Sequence, residues 1–218
     1  MVMFVKGQSE LLTTFMYIGL AVVVGVAMLS YFSSVLAGYR SQLDLLNNLQ
    51  IESVNIFVSE ISYDDRASTL WLLFKRIDGS LSDFFVAVDV GTSYLPCSSI
   101  SFYNPRGDSD GVICNDVGRD CIYSSSIYSG SMERVYVPWE GSIVDFRSYA
   151  RSMGFTLSDT IHICRIENVC RYISTQGLCR DSTIARIQLP ETSIARIFIV
   201  TLYGGTPYIV GVHEVALG

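Results

Sequence analysis

From Leu11 to Tyr39 the chain carries no charged residue and is apolar on every side rather than along one stripe. As a helix this run is about 43 Å long at about 1.5 Å per residue, longer than the roughly 20 residues a bilayer core requires. It contains no proline, and Gly19, Gly25 and Gly38 are its only glycines. Ala21 and Gly25 stand four apart, a pair of small residues that lets another helix approach closely. Beyond Arg40 the pattern turns amphipathic, with Leu43, Leu45, Leu46 and Leu49 set among Gln42, Asp44, Asn47 and Asn48. The pattern predicts one continuous helix over about residues 9–50.

From residue 51 the period changes to that of a strand. Val54, Ile56 and Val58 alternate with Asn55 and Ser59, and Tyr63-Asp64-Asp65-Arg66 reads as a turn. Leu70-Trp71-Leu72-Leu73-Phe74 is apolar on both faces, as in a strand covered on both sides. Phe84, Val86, Val88 and Val90 form the next alternating run. Residues 91–130 are rich in Gly, Ser, Asn and Asp and read as long loops with short strands. Strand-like runs return at 133–138, 142–148, 160–173 and 183–189. Ile194–Tyr203 and Tyr208–Ala216 flank Gly204-Gly205-Thr206-Pro207 as a hairpin. Many short strands with regular turns predict a β-sandwich, so the fold class is α+β: a long N-terminal hydrophobic helix, then a β-rich domain.

The start of the chain adds a processing signal. A secretory signal peptide is cut after its apolar core, whereas here the favoured position lies before it, at Lys6-Gly7 followed by Gln8-Ser9-Glu10 and Leu11-Leu12. This junction resembles the class III signal peptide of archaeal type IV pilins and archaellins. The resemblance implies cleavage between Gly7 and Gln8 by a dedicated prepilin-type peptidase in the membrane. It also implies a helix that packs into the core of an extracellular helical filament, with an immunoglobulin-like β-sandwich facing outward. Its partners would be copies of the chain itself, the membrane before assembly, and the pilus assembly machinery, in a structure for adhesion or motility. Bacterial type IV pilins carry a glutamate slightly deeper in the helix, where it pairs with a neighbour's N-terminal amine; Glu10 would be only the third mature residue, a departure from that pattern. The expected organisation is a leader at 1–7, a filament-core or membrane helix at 8–50 with Glu10, Gly19, Ala21 and Gly25 within it, and an outer domain at 51–218.

Composition agrees with an exposed, oxidising destination. The net charge of −6 argues against nucleic acid, which calls for a basic footprint. All six cysteines, Cys97, Cys114, Cys121, Cys164, Cys170 and Cys179, lie in the expected outer domain. An even number so confined reads as a disulfide framework. Six cysteines allow fifteen pairings; nearness in the chain favours Cys114–Cys121 and Cys170–Cys179.

No enzyme or cofactor is expected. His162 and His213 are the only histidines, and both fall in strand-like runs. Cys164 is two residues from His162, but no His and Met follow at the spacing of a copper site. The cysteine spacings are not those of a zinc site, and no haem-attachment motif occurs. Asp108, Asp110, Asp116 and Asp120 crowd one loop without the closing glutamate of a calcium cage. Arg106-Gly107-Asp108 in the same loop reads as a turn. The main alternative is a membrane-anchored or secreted monomeric β-sandwich that binds a ligand. Its support is Val35-Leu36-Ala37, an ordinary signal-peptidase site that would release the domain at Gly38. Against it, the uncharged run exceeds the roughly 7–15 residues of a signal core.

Overall fold

A computed structural model describes residues 6–103, 121–158, 160–169, 182–190 and 194–217, with the side chains of residues 6–11 and Cys121 left out. The chain divides into two compact units, Met1–Leu45 and Leu46–Gly218. The first unit is helical throughout its described length, as part of helix α1 (Lys6–Asn55).

The helix runs five residues past its expected end. Val54 was expected to start a strand with Ile56 and Val58, yet it is helical and exposed, while Ile56 and Val58 are buried in strand β1 (Ile56–Asp64). No glycine or proline stops the helix between Ile51 and Asn55, and Leu49 is fully buried. Tertiary contacts fix the end instead. The Asn55 carbonyl accepts a hydrogen bond from the Ile77 amide at 2.8 Å, satisfying one of the terminal carbonyls that a helix leaves open.

The second unit carries two mostly antiparallel sheets, giving the α+β sandwich expected. One sheet runs β1, β2 (Thr69–Arg76), β10 (Ser182–Gln188), β4 (Ile100–Tyr103), β5 (Cys121–Tyr123). The other runs β6 (Ser125–Gly130), β9 (Ile161–Ile166), β3 (Phe84–Asp89), β11 (Ile194–Tyr203), β12 (Thr206–Ala216), β7 (Arg134–Val137), β8 (Ser142–Asp145). Among the described strand pairs only β12 and β7 are parallel, meeting at Ile209 and Val135.

The strands differ from the expected pattern in instructive ways. In β2 only one face is fully buried, by Leu70, Leu72, Phe74 and Arg76; Trp71 and Leu73 are half-buried on the other. The strand covered on both sides is β3, where Ala87 and Asp89 are buried along with Val86 and Val88. It lies inside the larger sheet between β9 and β11. The turn after β1 occupies residues 65–68, with the Asp64 carboxylate accepting from the amides of Arg66 and Ala67. The last hairpin closes on two residues rather than four: Gly204 and Gly205 have φ of 58° and 81°, the paired positive values of a type I′ turn, and Pro207 already belongs to β12.

The run at 142–148 is not one strand. It ends at Asp145, whose carboxylate caps helix α2 (Phe146–Met153) by accepting from the Ser148 amide at 2.8 Å. Gly154 closes α2 in the left-handed conformation, φ 69°. Phe146 and Ala150, one turn apart, fasten it to the core. The run at 160–173 keeps its strand only through Ile166; residues 167–169 are not strand, and the rest lies outside the described residues.

The core of the larger sheet centres on Phe198, with the rings of Phe155, Tyr94 and Phe146 at 5.1, 5.9 and 6.3 Å. Beside it Asp89 is fully buried and satisfied: Gly91 and Thr156 donate to it, and Arg196 reaches it at 3.3 Å while also pairing with Glu214. The sequence Ile-Ala-Arg-Ile occurs twice, at Ile184–Ile187 in β10 and Ile194–Ile197 in β11. In each the alanine and second isoleucine are buried, and the arginine lies over a ring, Trp71 for Arg186 and Phe155 for Arg196.

Candidate functional site: the apolar helix and its attachment

The helix of the first unit is bare. From Leu12 to Tyr39 its large apolar side chains are exposed, from 46 % for Val24 to 70 % for Met16, with Val35 somewhat more covered. The helix is long and apolar enough to cross a membrane. A Cβ added at Gly19, Gly25 or Gly38 would meet nothing within 4 Å. Ala21 and Gly25 therefore present a shallow, open strip of backbone. Lys6, Gly7 and Gln8 form the first described turn of the helix, and Glu10 follows in the next, with backbone alone described there.

The last turn of α1, which belongs to the second unit, carries an ion cluster. Arg76 stands in register with Leu70, Leu72 and Phe74 on the buried face of β2, and its side chain is only 4 % exposed. Its two terminal nitrogens lie 3.0 and 2.8 Å from the two carboxylate oxygens of Glu52, and it also holds Asp78 at 2.9 and 3.1 Å. Burial alone would lower the Arg76 affinity for its proton, but the hydrogen bonds and charges of Glu52 and Asp78 more than offset it and hold the guanidinium above its ordinary range. Asp78 in turn is held below the usual carboxylate range, first by its hydrogen bond from Arg76. Asp78 also accepts from the Ser80 amide and the Asn55 side chain. The cluster joins the last turn of α1 to the β2–β3 connection.

The cysteines are partly placed. Cys97, in a 3₁₀ turn at Cys97–Ser99, is disulfide-bonded to Cys164 in β9. The bridge ties the entrance of β4 in the smaller sheet to the larger sheet. Cys164 therefore offers no thiolate beside His162, whose Nδ1 lies 2.9 Å from the Ser129 hydroxyl. Cys121 begins β5. Cys114, Cys170 and Cys179, and with them the expected Cys114–Cys121 and Cys170–Cys179 bridges, lie outside the described residues, as do Arg106–Asp108 and the aspartates Asp108, Asp110, Asp116 and Asp120.

The Glu52–Arg76–Asp78 cluster is the element that sequence reading missed. Its signal was present: an arginine at the buried phase of an alternating apolar strand needs a carboxylate partner. Which carboxylate answers it depends on the fold. Comparison with protein-family models, curated proteins and solved structures finds no match for the chain.

Proposed function

We propose that the chain is the structural subunit of an extracellular type IV pilus-like filament, assembled through residues 8–50. The observation that carries the reading is the exposed helix: apolar all round over more than a bilayer's thickness and uncharged from Leu11 to Tyr39. A surface of this kind requires lipid or other helices around it. In the bilayer the helix is satisfied by its internal hydrogen bonds. On extraction, copies of the same helix replace the lipid, and the Ala21–Gly25 strip allows close approach. The Lys6-Gly7-Gln8 junction supports the order of events, since cutting there keeps the helix on the mature subunit. The ion cluster at Arg76 supports a firm hold of the outer domain on the last turn of α1. Adhesion and motility use the same architecture.

The test is electron microscopy of protein cut after Gly7 and moved from detergent into detergent-free buffer. Helical filaments are expected. Particles that remain monomeric with residues 8–50 present would favour a singly anchored binding domain instead.

A further inference from the structure

The outer domain has a second feature that its own core does not use. Trp139 projects from the β7–β8 turn and is 70 % exposed. The turn is tight: the amides of Glu140 and Gly141 both donate to the Val137 carbonyl, at 3.1 and 2.9 Å, and Gly141 has φ 61°. Trp139 and Glu140 line a cleft of about 360 Å³ together with Val144 and, from α2, Tyr149 and Met153. Tyr149 is braced from behind by Phe155 at 5.7 Å, and Phe155 by Phe198 at 5.1 Å.

The charge of the lining is one-sided. Among the described residues that line the cleft, Glu140 is the only charged one. Burial, and then the Glu140 charge, push the Tyr149 phenol above its ordinary value, so the carboxylate's field reaches the ring. Ser148 and Ser152 also line the cleft, and the Ser152 hydroxyl donates to the Tyr149 carbonyl at 2.8 Å. The serine oxygens remain as acceptors. Ser148, Tyr149, Ser152 and Met153 share one face of α2, whereas Arg147 and Arg151 fall on its other side and do not line the cleft.

The geometry points to a receptor for an arginine side chain presented by a polypeptide partner. A guanidinium has only donors, five in a planar fork, and no acceptor. It stacks on indole and phenol faces and pairs with a carboxylate in the same plane. Trp139, Tyr149 and Glu140 supply those three contacts. A sugar would also stack on the tryptophan and could accept from the Trp139 indole N–H and the Tyr149 hydroxyl, but it carries no positive charge to meet Glu140. This inference is independent of filament assembly.

The test uses the full chain in detergent micelles, with Trp71→Phe so that Trp139 is the sole tryptophan. The probe is an end-blocked Gly-Arg-Gly peptide, with the citrulline peptide as its neutral isostere and methyl glucoside as the sugar. The arginine peptide should change Trp139 fluorescence saturably, and the citrulline peptide should bind at least tenfold more weakly. Glu140→Gln should weaken the arginine peptide at least tenfold while leaving the near-ultraviolet circular dichroism unchanged. Calorimetric titration of the unsubstituted chain gives the same answer without relying on Trp71→Phe. Equal binding of citrulline, tighter binding of the glucoside, no effect of Glu140→Gln, or no saturable binding at all would each overturn the proposal.

Discussion

Arg76 and Glu52 face each other as a two-pronged ion pair, nitrogen to oxygen at 3.0 and 2.8 Å, joining the last turn of α1 to the buried face of β2. The arginine is almost fully buried, while Glu52 and Asp78 keep 27 % and 29 % of their side chains in contact with solvent. That asymmetry settles which partner matters most. Removing a carboxylate leaves the guanidinium one remaining partner. Removing the guanidinium leaves two carboxylates close together with no cation between them.

Arg76→Ala should therefore destabilise the outer unit by about 3 kcal/mol, the lower end of the range for breaking a buried pair, because water still reaches the carboxylates. Arg76→Lys should recover only part, since lysine lacks the planar fork. Urea unfolding of the full chain in detergent measures this as a shift in midpoint at constant slope. A midpoint unmoved by Arg76→Ala would show the cluster to be decorative.

The same cluster sets an acid limit. Asp78 is held below its ordinary pKa in the folded state. Its contribution is thus fully present above the unfolded carboxylate value, near pH 4, and is lost as pH falls through the lower folded value. Stability should decline below about pH 4, and Asp78→Asn should flatten that part of the profile. A decline identical in parent and variant would assign the acid sensitivity to other groups.

The Cys97–Cys164 bridge joins positions 67 residues apart. On the loop-entropy model, closing a loop of that length is worth roughly 4 kcal/mol. The double variant Cys97→Ala/Cys164→Ala should lose about that much in the same unfolding measurement. Unreduced peptide mapping should recover Cys97 linked to Cys164, and the other four cysteines should yield one of three remaining pairings. Recovery of Cys97 joined to any other cysteine would refute the bridge.

What could be read from the sequence depended on the range of the interaction. The helix and the β11–β12 hairpin were legible because their causes are local: an uncharged run in one, Gly204-Gly205 between alternating strands in the other. The end of α1 was misplaced because Val54, Ile56 and Val58 alternate as a strand does, while Leu49 burial and the Asn55–Ile77 bond, both tertiary, carry the helix on to Asn55. Helix α2 was hidden by its short length, although Asp145 before it and Gly154 after it are cap residues that mark its ends. The Arg76 cluster joins residues 24 positions apart, and nothing in the local pattern selects Glu52 over other carboxylates.

The leader should be cut between Gly7 and Gln8. Mature material should begin at Gln8 on N-terminal sequencing, and Gly7→Val should leave the precursor intact by crowding the peptidase site. Material beginning at Gly38 would instead indicate ordinary signal-peptidase release after Val35-Leu36-Ala37. Material beginning at Met1 would indicate a plain anchor.

Assembly through the helix makes a sharper demand on Gly25. In the single chain a Cβ at this position meets nothing within 4 Å, so substitution should leave each unit folded. Gly25→Ala should even favour the isolated helix, by up to about 1 kcal/mol on intrinsic propensity. In a filament core the same position faces a neighbouring helix across the Ala21–Gly25 strip, and there the added methyl holds the helices apart. Gly25→Ala should therefore raise the concentration needed for filament growth although it stabilises the subunit. Gly25→Arg should abolish filaments, because an unpaired ion in a dry core costs several kcal/mol per subunit. A fragment beginning at Leu46, which retains Leu49, Glu52 and the rest of the outer unit, should stay monomeric. Sedimentation and electron microscopy of the three proteins decide the matter. Filaments of normal yield from Gly25→Arg, or filaments from the fragment, would place the assembly surface on the β-domain and leave the helix as an anchor alone.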